Sequence, residues 1–164
     1  MIPELVVCLD RSLAFVRQQI TDLTDEELVA QPPGIANHGA WTVCHLVFSF
    51  QEMAAELGVE RWLPEDWESR FGYGSSPNPL ASACSARSAV SAALEDAGPR
   101  LRGALLSSDE TVLARPLPDV ESRQTFPTTG HALLQVVAAH TAFHAGQLVA
   151  WRRAIGRPPV GVFI

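Results

Sequence analysis

The chain has 164 residues, 47% apolar and 18% charged, which excludes a disordered protein and suffices for one core without disulfides. The net charge is −6, and all twelve basic residues are Arg, scattered with only Arg152 and Arg153 adjacent, so the basic stripe of a nucleic-acid binder is missing. No apolar run approaches the ~20 residues of a membrane span, and Met1-Ile2-Pro3-Glu4 carries an acid where a signal peptide carries bases. The expectation is one domain over residues 1–164, soluble and cytoplasmic, with no nucleic-acid or membrane partner. The low charge density hints at an apolar surface covered by a second subunit.

Pro3 stands where a helix accepts proline, and Leu5, Leu9, Leu13, Val16 and Ile20 recur at three- and four-residue spacing. This predicts an amphipathic helix over about 4–21. Thr24-Asp25-Glu26-Glu27 is a capping-box pattern opening a short turn, and Gln31-Pro32-Pro33-Gly34 breaks the chain. Asn37 is the expected N-cap of the next helix, which runs to about Leu57 and is closed by Gly58. Its apolar face carries Trp41, His45, Phe48 and Met53.

Residues 59–79 are irregular but rich in large side chains, Trp62, Trp67, Phe71 and Tyr73 among them, and predict a packed functional cover with one turn near Glu65–Arg70. Asn78-Pro79 is expected to open a third helix reaching about Leu106, kinked or split where Gly98-Pro99 interrupts its stripe. A loop-like stretch follows over 107–127. The last helix starts near Thr128 or Thr129 and runs to about Ile155, with Leu133, Val136, Val137, His140, Phe143, His144, Leu148 and Trp151 on its inner face, before Gly156 ends it. Four main helices without a strand pattern predict an all-α four-helix bundle.

His140 and His144, four apart on a helix, stack on one inward face within reach of one ion. Alone, such a pair is more often two structural histidines than a metal site. His45 adds a second helix with an inward imidazole, the way bundles assemble sites. His38 and His131 lie near helix starts and read as exposed or capping, although His38, two turns before His45, also qualifies as a substitute or supporting group. Cys8, Cys44 and Cys84 form no paired motif and read as reduced, partly buried thiols. Cys44 points ~100° away from His45 and is no co-ligand.

The segment from His140 to Leu148, His-Thr-Ala-Phe-His-Ala-Gly-Gln-Leu, followed by Arg152, Arg153 and Gly156-Arg157-Pro158, resembles the closing signature of the DinB-like superfamily. Asn37-His38-Gly39-Ala40-Trp41-Thr42-Val43-Cys44-His45-Leu46 is similar to that family's second helix. The resemblance covers the whole chain, with residues 59–127 matching in outline. It implies a bundle with right-handed crossing, commonly a homodimer, holding a divalent metal on His45, His140 and His144. Zinc or nickel lead, with iron a further option, and imidazole chemistry does not decide among them.

Three neutral ligands leave an ion's charge undiminished and some of its positions open, so such a site can polarise water or lower a thiol's pKa. Superfamily members that use low-molecular-weight thiols, bacillithiol- and mycothiol-transferase-like proteins, imply a metal-dependent thiol S-transferase or a hydrolase acting on a small-molecule thiol or electrophile. The alternatives are a non-enzymatic metal-binding or stress-response protein and a structural bundle that retains its histidines without use. Gln147, one turn after His144, is a candidate to orient an imidazole or an ordinary packing residue. Arg152 and Arg153 read as surface salt-bridging residues, with capture of a substrate carboxylate as the other option. Asp66 and Glu68 read as solvated carboxylates, with base catalysis as the alternative.

Overall fold

The chain begins with α1, Ile2–Ile20, whose Leu5, Leu9, Val16 and Ile20 are fully buried at the predicted spacing. Each such aliphatic side chain contributes roughly 1.5–3 kcal/mol by leaving water. Thr24 caps α2, Asp25–Leu28, with both halves of the capping box formed: Glu27 N donates to Thr24 Oγ1 at 3.2 Å, and Thr24 N donates to Glu27 Oε2 at 2.9 Å. The computed structural model describes residues 1–77 and 86–161.

Next comes α3, Gly39–Glu56. Its N-cap is His38 rather than Asn37: the His38 Nδ1 accepts from Trp41 N at 3.1 Å, and the ring is buried. An imidazole nitrogen can satisfy an orphan helix amide as a hydroxyl does. Gly39 is required by its neighbour, because a Cβ there would run into the Trp151 ring. Gly58 closes the helix with φ +88°, as expected. A short α4, Trp67–Phe71, then lies on α3.

The third long helix is α5, Arg87–Leu106. Its expected opening at Asn78-Pro79 lies outside the described residues. In the described part, Arg87 N donates to Asp25 Oδ1 at 2.8 Å, which fixes the start of α5 beside α2. The helix continues through Pro99 instead of splitting, and Gly98 faces Leu13 of α1 where a side chain would collide. The stretch over 107–127 contains two four-residue helices, α6, Glu110–Leu113, and α7, Ser122–Thr125.

The last helical run departs from the sequence reading in two respects. It comprises α8, Thr129–Leu134, a π-helical stretch Gln135–His140, and α9, Thr141–Ala154, in unbroken succession. Thr141 Oγ1 donates to Val136 O at 2.8 Å, five residues back, and so occupies a carbonyl in the widened turn. Phe143, expected inside, is 61% exposed. Among the described residues the fold is all-α, with no named strand and one isolated bridge between Pro116 and Thr128. The long helices close a ring: α1 packs on α5, α5 on α3, α3 on α9, and α9 with the π stretch back on α1. No described helix is long and apolar enough to cross a membrane.

Candidate metal centre

Three elements, the last two continuous with each other, bring the three histidines together. His45 projects from the middle of α3, His140 ends the π stretch, and His144 stands one turn into α9. His45 and His144 are 8% and 5% exposed, so these polar rings sit in the apolar interior. The Nε2 of His140 lies 3.0 Å from that of His45 and 3.0 Å from that of His144. Two nitrogens bound at ~2.0–2.1 Å to one ion lie about 2.9 Å apart at a right angle and about 3.4 Å apart at a tetrahedral angle. The observed separations fall in that interval.

The opposite ring nitrogens decide which lone pairs face inward. His45 Nδ1 donates to the backbone carbonyl of Phe71 at 2.6 Å, and His144 Nδ1 donates to Gln147 Oε1 at 2.7 Å. A carbonyl oxygen can only accept, so each Nδ1 carries the hydrogen and each Nε2 is bare. Two bare nitrogens therefore converge on a third, and lone pairs 3.0 Å apart repel unless a proton or a cation lies between them. Carbonyl acceptors behind ligating imidazoles are the usual support of a histidine metal site. The residues fit a divalent ion on His45, His140 and His144, and these three form a ligand group whose donor atoms all lie within 4.8 Å of one another.

Burial sets the protonation of the cluster. It pushes the His140 imidazole down to about 3, with the neighbouring His144 and His45 adding to the effect. Burial also lowers His144, to about 4, with His45 adding and the Gln147 hydrogen bond opposing. His45 moves the same way, chiefly by burial, against the opposing bond to Phe71. All three imidazoles are thus neutral near pH 7, the state a metal needs. His140 differs from its partners, since its buried Nδ1 has no hydrogen-bond partner among the described residues.

The remaining candidates separate clearly. Gln147 orients His144 as one of its two expected roles required. His38 caps α3 and does not join the cluster. His131 is exposed, with its Nδ1 2.7 Å from Thr128 Oγ1. Asp66 and Glu68 are exposed, and Asp66 pairs with Arg70 at 3.0 Å. Cys44 is buried beside His45 without belonging to the ligand group, and Cys84 lies outside the described residues.

Arg152 forms the expected ion pair, but as a buried residue rather than a surface one, and it is not open to a substrate. It is 0% exposed, forks onto Asp22 at 2.7 and 3.0 Å, and donates to the carbonyls of Gln19 at 2.6 Å and Pro158 at 2.8 Å. Its Asp22 partner is held below the usual carboxylate range, first by the hydrogen bond from Arg152. Arg153, the next residue, is exposed.

Sequence reasoning missed the Phe71 carbonyl, for which no side-chain signal exists, and the stacking of Trp41 on His45, with ring centroids 4.9 Å apart and planes 6° apart. The segment around Phe71 packs as expected, with Trp67 and Phe71 buried, but Tyr73 is fully exposed.

Residues 9–148 match the sequence profile of the DinB superfamily. The crystal structure of a conserved protein from Enterococcus faecalis superposes with a TM-score of 0.71 over 93% of this chain and 95% of that one, at 19% identity. That likeness concerns the fold. No curated protein matches the sequence.

Proposed function

The chain belongs to the DinB superfamily, and from that membership and the histidine cluster we propose a metal-dependent enzyme of the thiol S-transferase type. The observation that carries this reading is the convergence of His45, His140 and His144 with two of their Nδ1 hydrogens already bound to carbonyl acceptors. A divalent ion held by neutral imidazoles keeps its full charge and makes a thiol or water more acidic.

The chain's own residues do the rest. Phe71 and Gln147 hold two rings in the tautomer that presents Nε2, and Trp41 stacks on His45 to fix its plane. Burial keeps the imidazoles unprotonated. Among the described residues no carboxylate or thiol joins the three imidazoles, and an ion held by three ligands has positions open to a substrate. In the transfer, the thiol sulfur forms a bond to an electrophilic carbon of the second substrate. The leaving group, chloride from a chlorinated aromatic for example, departs with its bonding pair, and the thiol proton passes to solvent.

Metal analysis of the purified protein, followed by assay of the loaded protein with a panel of low-molecular-weight thiols and a chlorinated aromatic, tests the reading. The expected result is one ion per chain, lost in His144→Ala, and turnover with at least one thiol. Full occupancy without turnover on any thiol refutes the transferase and leaves a metal-binding module. No ion at all refutes both.

A further inference from the structure

We propose that Trp41 is a positioning residue that makes the 59–77 segment a part of the metal centre, so that metal binding and docking of this segment reinforce each other. The inference rests on the metal-binding reading above.

Trp41 and His45 are one turn apart on α3, and their rings stack nearly parallel. Both donate to the same short helix. Trp41 Nε1 donates to Arg70 O at 3.1 Å, and His45 Nδ1 donates to Phe71 O at 2.6 Å. These are consecutive carbonyls in the last turn of α4, where a helix has no internal donors left. The turn that presents them is tight. Gly72 N bonds back to Glu68 O at 2.8 Å, and a Cβ on Gly72 would strike that same oxygen. The other end of the segment is also held by α3: the buried Gln51 accepts through Oε1 from Trp62 N at 2.8 Å and Leu63 N at 2.6 Å. Trp67 and Phe71, buried and 4.9 Å apart, supply the apolar contact between these anchors.

If the segment lifts away, His45 loses the acceptor that fixes its tautomer and Trp41 loses the partner that fixes its tilt. The imidazole is then free to turn its Nε2 from the cluster. By linkage, whatever factor docking adds to metal affinity, the metal adds to docking. A cover of this construction is not a detachable lid, since opening it releases a ligand.

The test uses zinc as the probe and three measurements on the full chain: chelator-competition affinity, hydrogen exchange over residues 59–77 with and without zinc, and the visible spectrum of the cobalt-loaded protein. In the unmodified protein, zinc is expected to slow exchange in this segment at least fivefold. Trp41→Phe keeps a stacking ring but loses the indole donor. It is expected to weaken zinc binding about three- to tenfold, the size of one lost neutral hydrogen bond, to shift the cobalt bands and to erase most of the slowing. Gln51→Leu, outside the ligand group, is expected to act in the same direction. Stoichiometric zinc binding with unchanged exchange over 59–77 overturns the proposal while leaving the metal centre intact, and needs no variant to fold. Failure of the unmodified protein to bind zinc or cobalt overturns the metal reading and this proposal together.

Discussion

Acidification from pH 7 to pH 5 is expected to cost zinc affinity almost nothing through His140 and His144, which is unusual for a pair of histidine ligands. An imidazole with the ordinary pKa of ~6.5 loses about 1.4 decades of availability over that interval, so two of them would cost about 2.8 decades, or ~4 kcal/mol at 1.36 kcal/mol per unit. Here His140 is held at about 3 and His144 at about 4, and His45 is displaced in the same direction. At pH 5 the combined loss from His140 and His144 is then only about 0.05 decade. Competition against a chelator of known proton affinity at pH 5, 6 and 7 measures this, with circular dichroism to verify that the protein stays folded. A fall of two decades or more refutes the argument that burial keeps these rings neutral. The same shifts have an opposite consequence for the metal-free protein. The folded pKa values lie below the unfolded ~6.5, so the unfolded chain takes up more protons between them. The stability tied to the neutral rings is complete above about 6.5 and is lost as pH falls toward the values of His144 and His140. Denaturant titrations are expected to show metal-free stability declining from pH 6.5 to 4, with the zinc-loaded protein flatter wherever zinc stays bound.

Arg152→Met removes a fully buried guanidinium with four hydrogen bonds; because its Asp22 partner is 46% exposed and can rehydrate, the expected cost is about 3 kcal/mol, the low end for breaking a buried pair. That lowers the melting temperature by about 6–12 °C for a chain of this size, and a loss under about 1 kcal/mol contradicts the anchoring role. Gln147→Leu is expected to weaken zinc binding about 10- to 100-fold with little change in melting temperature, and Gln147→Glu, which keeps an acceptor for His144 Nδ1, to restore most of it; equal affinities for all three proteins would remove Gln147 from the site. Gly39→Ala pushes a methyl into the Trp151 ring and is expected to cost about 1–3 kcal/mol, with altered tryptophan fluorescence, readable in urea unfolding.

Periodicity and punctuation made most of the fold legible. The stripe in α1, the Thr24 capping box and the closing glycines at 58 and 156 each encode a local rule, and each is realised locally. The cluster was legible because two histidines lay four apart in one helix and a third stood in a second recognisable motif. What escaped depends on tertiary placement. Arg152 looks like any cationic residue near a helix end, and only the approach of Asp22 and two distant carbonyls turns it into a buried clamp. His38 outcompeted Asn37 as N-cap because the chain enters α3 one residue later than composition suggests. The Phe71 carbonyl belongs to the backbone, which every residue type carries alike, so no sequence pattern can mark it as the acceptor for His45.

The π-helical stretch makes the last helix a splice of two rotational frames. A widened turn carries one residue more than the same length of α-helix, so residues before it are set about 100° away from where an uninterrupted helix would put them. Leu133 on the early side and Leu148 and Trp151 on the late side all reach the core at full burial, each half in its own frame. His140 and His144 lie at and beyond the splice and keep their four-residue spacing whatever happens upstream. Deleting one residue within 135–139 would therefore close the widened turn to an ordinary α-turn and leave both halves, with Leu133 and the histidine pair, on their present faces, whereas straightening it with every residue kept would swing Leu133 about 100° off the core. The histidine pair travels as a unit, and the widened turn absorbs the extra residue so that Leu133 upstream and His144 downstream both face inward.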